Sequence, residues 1–506
     1  MKALYTVLLC IAYCVTGLGQ KVSGQLINSS NEPLPEAYIF INNSDNHVHS
    51  NSLGYFEIKK AAVGDTLGVT YMGYQEVAYV LSESDFENEI QITLKAEPIR
   101  LDQVYVDNSV KSVNRISKID LEANPVQSSQ EVLRKVPGLF IGQHAGGGKA
   151  EQIFLRGFDI DHGTDISISV DGLPVNMVSH AHGQGYSDLH FLIPEVIRGV
   201  DFAKGPYYAE HGNFTTAGYV DFHTLDRLGE SSVGLEIGRF NTLRTKAMFD
   251  VIDQKDRNAY IASEFISSDG PFESSQNFNR MNIMGKFTTR YENNDQLALT
   301  ISRFQSKWDA SGQIPVRAVE SGLISRFGAI DDTEGGQTSR SNILIEHTKE
   351  ISPSSFVKSR AYYSHYDFEL FSNFTFFLKD EENGDQIRQF EDRNIYGLNT
   401  TFFKNLALAS GNLEIQLGGG FRYDDVNDNE LAHTVNRRTT IEQLALGDVD
   451  ETNIDLFANV EFEIGRWMIN PGLRLDAFKF DYVDRLKPEY TSLSETKSFL
   501  SPKLNI

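Results

Sequence analysis

The sequence predicts a mainly β chain: an N-terminal β-sandwich, a mixed α/β middle domain, and a long C-terminal run of antiparallel strands. Three observations carry this. Aromatics are abundant, 33 Phe and 21 Tyr against 2 Trp, and Gly outnumbers Pro 40 to 14; that balance favours strands and turns over helical bundles. After Leu225 apolar residues recur with period two, the signature of a strand with two unlike faces. Beyond the N-terminal segment no apolar run reaches the ~18 residues that a membrane-spanning helix requires. At 506 residues the chain has room for roughly two to four domains.

The elements follow in order. Lys2 precedes the apolar run Ala3 to Val15, and the small residues of Gly17-Leu18-Gly19 place a cleavage site before Gln20, so residues 1–19 read as a signal peptide. Its apolar stretch is too short to span a bilayer. A lipoprotein signal centred on Cys14 fits less well, because Tyr13 is bulky where a small residue is wanted. Both cysteines, Cys10 and Cys14, fall inside this segment, so the mature chain has no disulfide, thiol nucleophile or thiolate metal site. The net charge of −23 excludes nucleic acid, which needs a basic face; acidity alone names no partner.

Residues 20–96 alternate in short strands punctuated by Asn31-Glu32-Pro33, Leu53-Gly54-Tyr55 and Met72-Gly73-Tyr74, the pattern of a β-sandwich of roughly seven strands. Residues 97–110 form a linker in which Leu101, Asp102, Gln103, Val104, Tyr105 and Val106 read as extended. Such a peptide offers unpaired backbone groups to the sheet edge of a partner; a plain linker strand is the other reading. Ser129 to Val136 reads as a short amphipathic helix stopped by Pro137-Gly138. Extended segments Ile153–Arg156 and Ile166–Val170 flank turns built on Gly157, Gly163 and Gly172, and Val196–Ala203 ends at Gly205-Pro206.

Within 111–225 three short motifs occur in order at compatible spacing: Arg156-Gly157-Phe158, Asp171-Gly172-Leu173-Pro174 and Lys204-Gly205-Pro206. This set resembles the plug domain of TonB-dependent outer-membrane receptors. The segment 129–138 fits that family's pattern too, with Glu131 where Asp is usual. The domain at 20–96 is similar to the carboxypeptidase-regulatory-like domain that often precedes the plug in receptors of Bacteroidota; it carries no catalytic constellation, so no carboxypeptidase activity follows. The resemblance implies a gated transporter in the cell outer membrane, its barrel surrounded by outer-membrane lipid and its N-terminal domain in the periplasm. It further implies that TonB, driven by its ExbB/ExbD energy complex, engages Leu101 to Val106 and pulls the plug open. The ligand would be a small molecule or metal chelate, of the iron–siderophore class by default. No cofactor is required; a bound Zn, Cu or Fe chelate would be substrate. A signalling receptor of the outer membrane is the alternative.

Residues 226–506 then read as a barrel. Leu413, Ile415, Leu417, Phe421 and Tyr423 share one face against Glu414, Gln416 and Arg422, and Ile454, Leu456, Ala458, Val460, Phe462 and Ile464 oppose Asp455, Asn459, Glu461 and Glu463. Leu297, Leu299 and Ile301 alternate with Ala298, Thr300 and Ser302. Segments of about ten residues match a tilted transmembrane strand. Short turns are expected at Glu292–Asp295 and Ser352–Ser355, and long connections over Ser306–Ser341, Lys379–Asn394 and Asp424–Thr452. A soluble sandwich also alternates; the signal peptide and plug resemblance favour the barrel. About twelve strands are expected between Ser232 and Ile506, whereas the family implies about 22. The expectation is therefore an incomplete transmembrane antiparallel barrel, from a truncated gene product or fragment, with a genuinely small barrel as the structural alternative and a non-transporting remnant as the functional one.

Of 12 histidines, seven lie between Leu101 and Leu225: His144, His162, His180, His182, His190, His211 and His223. On an extended segment His180 and His182 share one face, a workable geometry for zinc or copper. His162, Asp188 and His190, with Asp161 and Asp165, are candidates to complete such a ligand or metal shell; hydrogen bonding within a polar loop is the alternative. Enzymatic readings fail. No strand–helix series surrounds His180 as an amidohydrolase barrel demands, no G-x-S-x-G elbow or Walker loop occurs, and Gly146-Gly147-Gly148-Lys149 lacks phosphate-cradle spacing.

Overall fold

The computed structural model describes residues 21–95, except 30, 42–45 and 72–73, and residues 115–506, except 144–146, 161–162, 255, 292, 294, 353, 409–410, 488 and 490. The signal segment, the stretch Leu101 to Val106, and His144, Asp161 and His162 lie outside the described residues.

Seven strands build the first domain: β1 (Lys21–Asn28), β2 (Tyr38–Ile41), β3 (His47–His49), β4 (Tyr55–Lys59), β5 (Thr66–Thr70), β6 (Val77–Val80) and β7 (Ile90–Leu94). They form two sheets, β4-β1-β7 and β3-β2-β5-β6. Alternate side chains (Val22, Leu26, Ile39, Ile58, Leu67, Val69) meet between them as one apolar core, the sandwich that period-two patterning demands.

The middle domain comprises β8 (Arg115–Ser117), α1 (Lys118–Ala123), α2 (Ser129–Val132), β9 (Leu139–Gly142), β10 (Gln152–Leu155), β11 (Phe158–Asp159), β12 (Ile166–Val170), β13 (Leu173–Pro174), β14 (Asn176–His180), β15 (Gly183–Ser187), β16 (Ile197–Lys204) and β17 (Gly218–Thr224). Its main sheet has the order β13-β12-β17-β16-β8, with β12 and β17 parallel. A second sheet, β11-β10-β9, and the hairpin β14–β15 complete it. Helix α2 gives way to a 3₁₀ turn at Leu133–Lys135, shorter than the helix expected to Val136. Helix α1 starts at a capping box: the Ser117 side chain accepts from the Asp120 amide while the Asp120 carboxylate accepts from the Ser117 amide, satisfying donors that a helix start leaves open.

The third domain is a single sheet of twelve strands: β18 (Ser232–Ile237), β19 (Leu243–Asp253), β20 (Arg257–Ser268), β21 (Phe278–Arg290), β22 (Gln296–Ala310), β23 (Glu334–Ser352), β24 (Ser355–Ser372), β25 (Ile387–Leu408), β26 (Gly411–Val435), β27 (Thr439–Ile464), β28 (Trp467–Asp484) and β29 (Thr491–Asn505). Each pairs antiparallel with its sequence neighbours, and the sheet is open, with β18 and β29 at its two edges. The sheet curves around the middle domain with its chemistry inverted relative to a soluble protein. Arg244, Glu264, Arg280, Lys286, Arg393 and Asp424 are buried on the inside, while Ile283, Ile301, Leu398, Phe421, Leu456 and Leu475 stand exposed outside. An apolar outer face over a charged lining is the membrane β-barrel pattern.

The connections depart from expectation. The connections from Arg290 to Gln296 and from Ser352 to Ser355 are short as expected, but much of the three long connections is strand. The Asp424–Thr452 segment is a hairpin in which β26 and β27 continue to a turn at 436–438, and the connections at 311–333 and 373–386 are shorter than Ser306–Ser341 and Lys379–Asn394. These strands extend past the apolar belt, where both faces mix polar and apolar residues and the period-two signal disappears while backbone pairing continues. The sandwich sits at the short-turn end: the Tyr55 hydroxyl donates to Glu350 Oε2 at 2.6 Å.

Candidate functional site

The three motifs of the middle domain are turn residues. Arg156 and Gly157 (φ 52° and 85°) and Asp171 and Gly172 (φ 51° and 84°) form two-residue connections between Leu155 and Phe158 and between Val170 and Leu173. Positive φ at both central residues is the primed turn that matches strand twist. The Asp171 carboxylate accepts from the Thr224 amide at 3.0 Å and from the Thr224 hydroxyl, and barrel Lys286 lies 3.5 Å away. The Pro174 carbonyl accepts from Arg340 Nη2 at 2.8 Å. At the third motif Lys204 ends β16 and the Gly205 amide donates to the Ala217 carbonyl at 2.7 Å, closing the turn before Pro206. These residues fix the domain's shape and its seat in the wall.

The β14–β15 hairpin leans against the inner wall formed by β24 to β27. Its backbone is strapped there by charged side chains. The Ser179 amide donates to Glu451 at 3.1 Å and the Ala181 amide to Glu391 at 2.7 Å. Arg393 donates back to the Ser179 carbonyl at 2.6 Å, and also to Glu391 at 3.0 Å and Asp424 at 2.7 Å. Arg422 donates to both Asp424 oxygens, at 2.7 and 2.8 Å. The Arg393 and Glu391 side chains are both 0% exposed, so each depends on its partners: a buried charge persists only when paired and hydrogen-bonded.

His180 closes β14. Its ring stacks on Tyr186 (centroids 4.1 Å apart, planes 3° apart) and meets Phe368 edge-on at 4.4 Å. Nδ1 accepts from the His182 amide at 3.1 Å, so the ring proton resides on Nε2, which faces the Tyr366 hydroxyl at 3.4 Å and Glu391 at 3.9 Å. His182 lies in the turn after the strand, with ring centroids 6.4 Å from those of His180, and is half-buried. His190 pairs separately with Asp188 at 2.9 Å, its peptide amide donating to the same carboxylate at 2.7 Å. His211 stacks on Tyr219 at 3.6 Å, and His223 bonds Asp201 at 2.9 Å. The expected residues are thus divided between two places: His180 and His182 on the strapped hairpin, and Asp188 and His190 beneath it.

Electrostatics differ sharply within the second group. Burial opposes the charge of Asp188, but the charge and hydrogen bonds of His190 outweigh it and hold the carboxyl below its usual range. Burial pushes neighbouring Glu151 up, with the His190 charge only partly opposing. A second clasp joins the middle domain to β19–β21, where Glu195 meets Arg244 at 2.8 Å and Lys246 at 2.6 Å, and Glu264 joins Arg244 at 2.6 Å to Arg280 at 2.9 Å. Neither clasp was identified from the sequence. The available signal was charge on the inward phase of the strands, as in Glu391-x-Arg393, Arg422-x-Asp424 and Arg280-x-Asn282.

Comparisons with known proteins agree over most of the chain. A family model described as TonB-dependent Receptor Plug Domain matches residues 106–219, and a CarboxypepD_reg-like domain matches 22–106. A third, TonB dependent receptor-like, beta-barrel, matches 267–506. The vitamin B12 transporter BtuB of Vibrio vulnificus (strain CMCP6) is 25% identical over 207 residues, 40% of this chain and 32% of that protein. Among solved structures, the ferric citrate transporter FecA in the unliganded form superposes with a TM-score of 0.66 at 12% identity, covering 77% of this chain and 59% of that one. The siderophore receptor PiuA from Acinetobacter baumannii superposes with a TM-score of 0.59 at 14% identity, covering 79% and 64%. These solved structures share the fold, and the chain spans less than two thirds of the length of each of the three proteins.

Proposed function

The chain belongs to the TonB-dependent receptors of the outer membrane, and on that premise we propose that it takes up a scarce nutrient, with the middle domain as gate and TonB as the source of energy. The family's members here are transporters and receptors, not enzymes. The observation that carries the reading is the hairpin from Asn176 to Ser187, its backbone hydrogen-bonded to the buried charged side chains of the barrel wall. A plug fastened by a few polar contacts to a wall of charges stays shut at rest and can be released by a pull. Leu101 to Val106 remain the proposed TonB contact, with ExbB/ExbD behind it. The segment precedes β8, at the edge of the main sheet, by eight residues of chain (107–114), so tension applied there would reach β16 and β17 through backbone pairing.

A metal chelate of the ferric siderophore class is the proposed ligand, with cobalamin next, following the named relatives. His182 is the proposed contact at the hairpin turn; His180, Asp188 and His190, buried and paired, hold the hairpin and its base in place. Two free acceptors on a ligand's rim would suit His182 and the nearby backbone. The test is equilibrium binding of ferric citrate, a ferric catecholate and cobalamin to outer membranes carrying the full chain. One of the three is expected to saturate, with His182→Ala weakening it at least about tenfold, equivalent to about 1.4 kcal/mol. Failure of all three to bind would contradict the ligand class; binding unaffected by His182→Ala would remove the assigned contact.

A further inference from the structure

Among the described residues one group of three metal-ligating side chains has its ligand atoms within 4.8 Å of one another: His365, Asp367 and Asp392. It lies outside the uptake path. We propose that these residues form a binding site for a divalent cation of the zinc class on the outer wall of the barrel, just beyond its aromatic belt.

Strand geometry brings the three together. His365 and Asp367 stand two apart on β24 and so share a face, and Asp392 of β25 is the direct register partner of Asp367. Their neighbours Tyr366 and Arg393 are buried inside, which turns these three outward. One register step toward the short-turn end lies an outward row of tyrosines, Tyr363, Tyr396 and Tyr423, with centroids 5.2 and 6.2 Å apart. Below it come Leu398, Phe421, Ile454 and Leu456, all exposed. An aromatic row above an apolar band marks the membrane interface. The triad is therefore at headgroup level, where anionic groups are concentrated and carboxylates need a counter-charge.

The orientation of His365 is the second, independent observation. Asn394 Oδ1, an acceptor only, sits 3.2 Å from His365 Nδ1 and also takes the Tyr363 hydroxyl at 2.8 Å. Nδ1 must therefore carry a hydrogen, which leaves Nε2, 3.4 Å from Asp367 Oδ2, as the nitrogen open to a metal ion. A histidine whose far N–H is held by a carbonyl is the outer-shell arrangement that prepares the other nitrogen for a metal. The separation also fits: the edge of a tetrahedron with bonds of about 2.1 Å, the zinc–nitrogen and zinc–oxygen length, is about 3.4 Å. Asp392 Oδ1 lies 3.8 Å from Nδ1, the nitrogen turned to Asn394, so its carboxylate reaches the Nε2 side as third ligand by side-chain rotation, and the fourth position opens outward. One imidazole with two carboxylates favours zinc-like ions over calcium, which prefers oxygen alone.

Equilibrium dialysis of the full chain in detergent against Zn²⁺ alone, counting bound zinc per chain, tests this. His365→Gln and Asp392→Asn are expected to lower affinity at the site at least about tenfold, and Asn394→Leu about tenfold through the lost orienting bond. The double variant His180→Gln/His182→Gln is expected to leave this site intact, which separates it from any metal contact along the uptake path. Heat-dependent gel mobility checks that each variant is folded; all substituted wall positions face outward. Zinc binding that is absent in the parent chain, or unchanged in His365→Gln, would overturn the proposal.

Discussion

Arg393 is the residue on which the gate's resting state most depends. It binds a plug carbonyl with one nitrogen and three wall carboxylates with the others, and its side chain is fully buried. Removing one partner of a buried ion group typically costs about 3–5 kcal/mol, because the remaining charges stay buried and unpaired. Arg393→Ala is thus expected to lower the thermal unfolding temperature of the detergent-solubilised chain and to loosen the hairpin. Unfolding at the parent temperature would show that the strap carries no load. Buried Glu151 and Asp188 give a paired pH prediction. Glu151 has a raised pKa, so its contribution is lost as pH rises above the unfolded-state value near about 4.3. Glu151→Gln should therefore stabilise at neutral pH and lose that advantage below about pH 4. Asp188 is depressed, its contribution present above about pH 3.9 and lost in acid; Asp188→Asn should destabilise at neutral pH and matter less as pH falls. Calorimetric melting at both pH values checks the opposite signs. Of this chemistry the sequence revealed the histidines, because they cluster along the chain. It did not reveal Arg393, because its partners Glu391, Asp424 and Glu451 come from three strands that only sheet register brings together.

Among the elements, turns were legible and long strands were not. Asp171-Gly172 and Arg156-Gly157 could be placed as hairpin turns, because positive φ at two successive positions restricts the residues that fit. The two glycines differ in surroundings. A Cβ at Gly157 would meet nothing within 4 Å, whereas one at Gly172 would lie 2.7 Å from the Arg360 side chain. Gly157→Ala should cost only the backbone strain, about 1 kcal/mol. Gly172→Val should cost more, about 2–4 kcal/mol, since a β-branched residue at positive φ must also displace Arg360. Chemical denaturation of both variants decides it; equal losses would mean that the wall does not press on this turn. The upper halves of β26 and β27 escaped the sequence reading for a physical reason. Above the tyrosine row both faces mix polar and apolar residues, with Val426 and Ala432 buried and Ile441 and Leu444 exposed, so no clean alternation marks Asp424–Thr452, and only backbone hydrogen bonds, which the sequence does not display, continue the ladder.

For the whole molecule, inverted patterning is the decisive property: charges inside against the plug and an apolar band outside. The twelve strands and the seven-stranded sandwich were countable in advance because each strand carries its own alternation. The packing of the plug against the wall was not, since its contacts join residues far apart in the chain, 49 positions between Glu195 and Arg244 and 272 between Ser179 and Glu451. Leu456, 60% exposed in the middle of the outer band, probes the membrane assignment. Leu456→Arg places a charge near the bilayer midplane at a cost of about 2–4 kcal/mol, and should reduce the fraction of chain in heat-modifiable, membrane-integrated form. An unchanged fraction would argue that lipid does not contact this face.

The central claim, that this chain is a gate opened by TonB, is tested most directly by ligand accumulation. Cells expressing the full chain, with and without TonB, are supplied with the radiolabelled chelate that binds most tightly. Accumulation in the periplasm that requires TonB, and that is lost when Leu101 to Val106 are deleted while surface binding persists, is the predicted result. Accumulation at the same rate without TonB, or none in either strain despite binding, would contradict it.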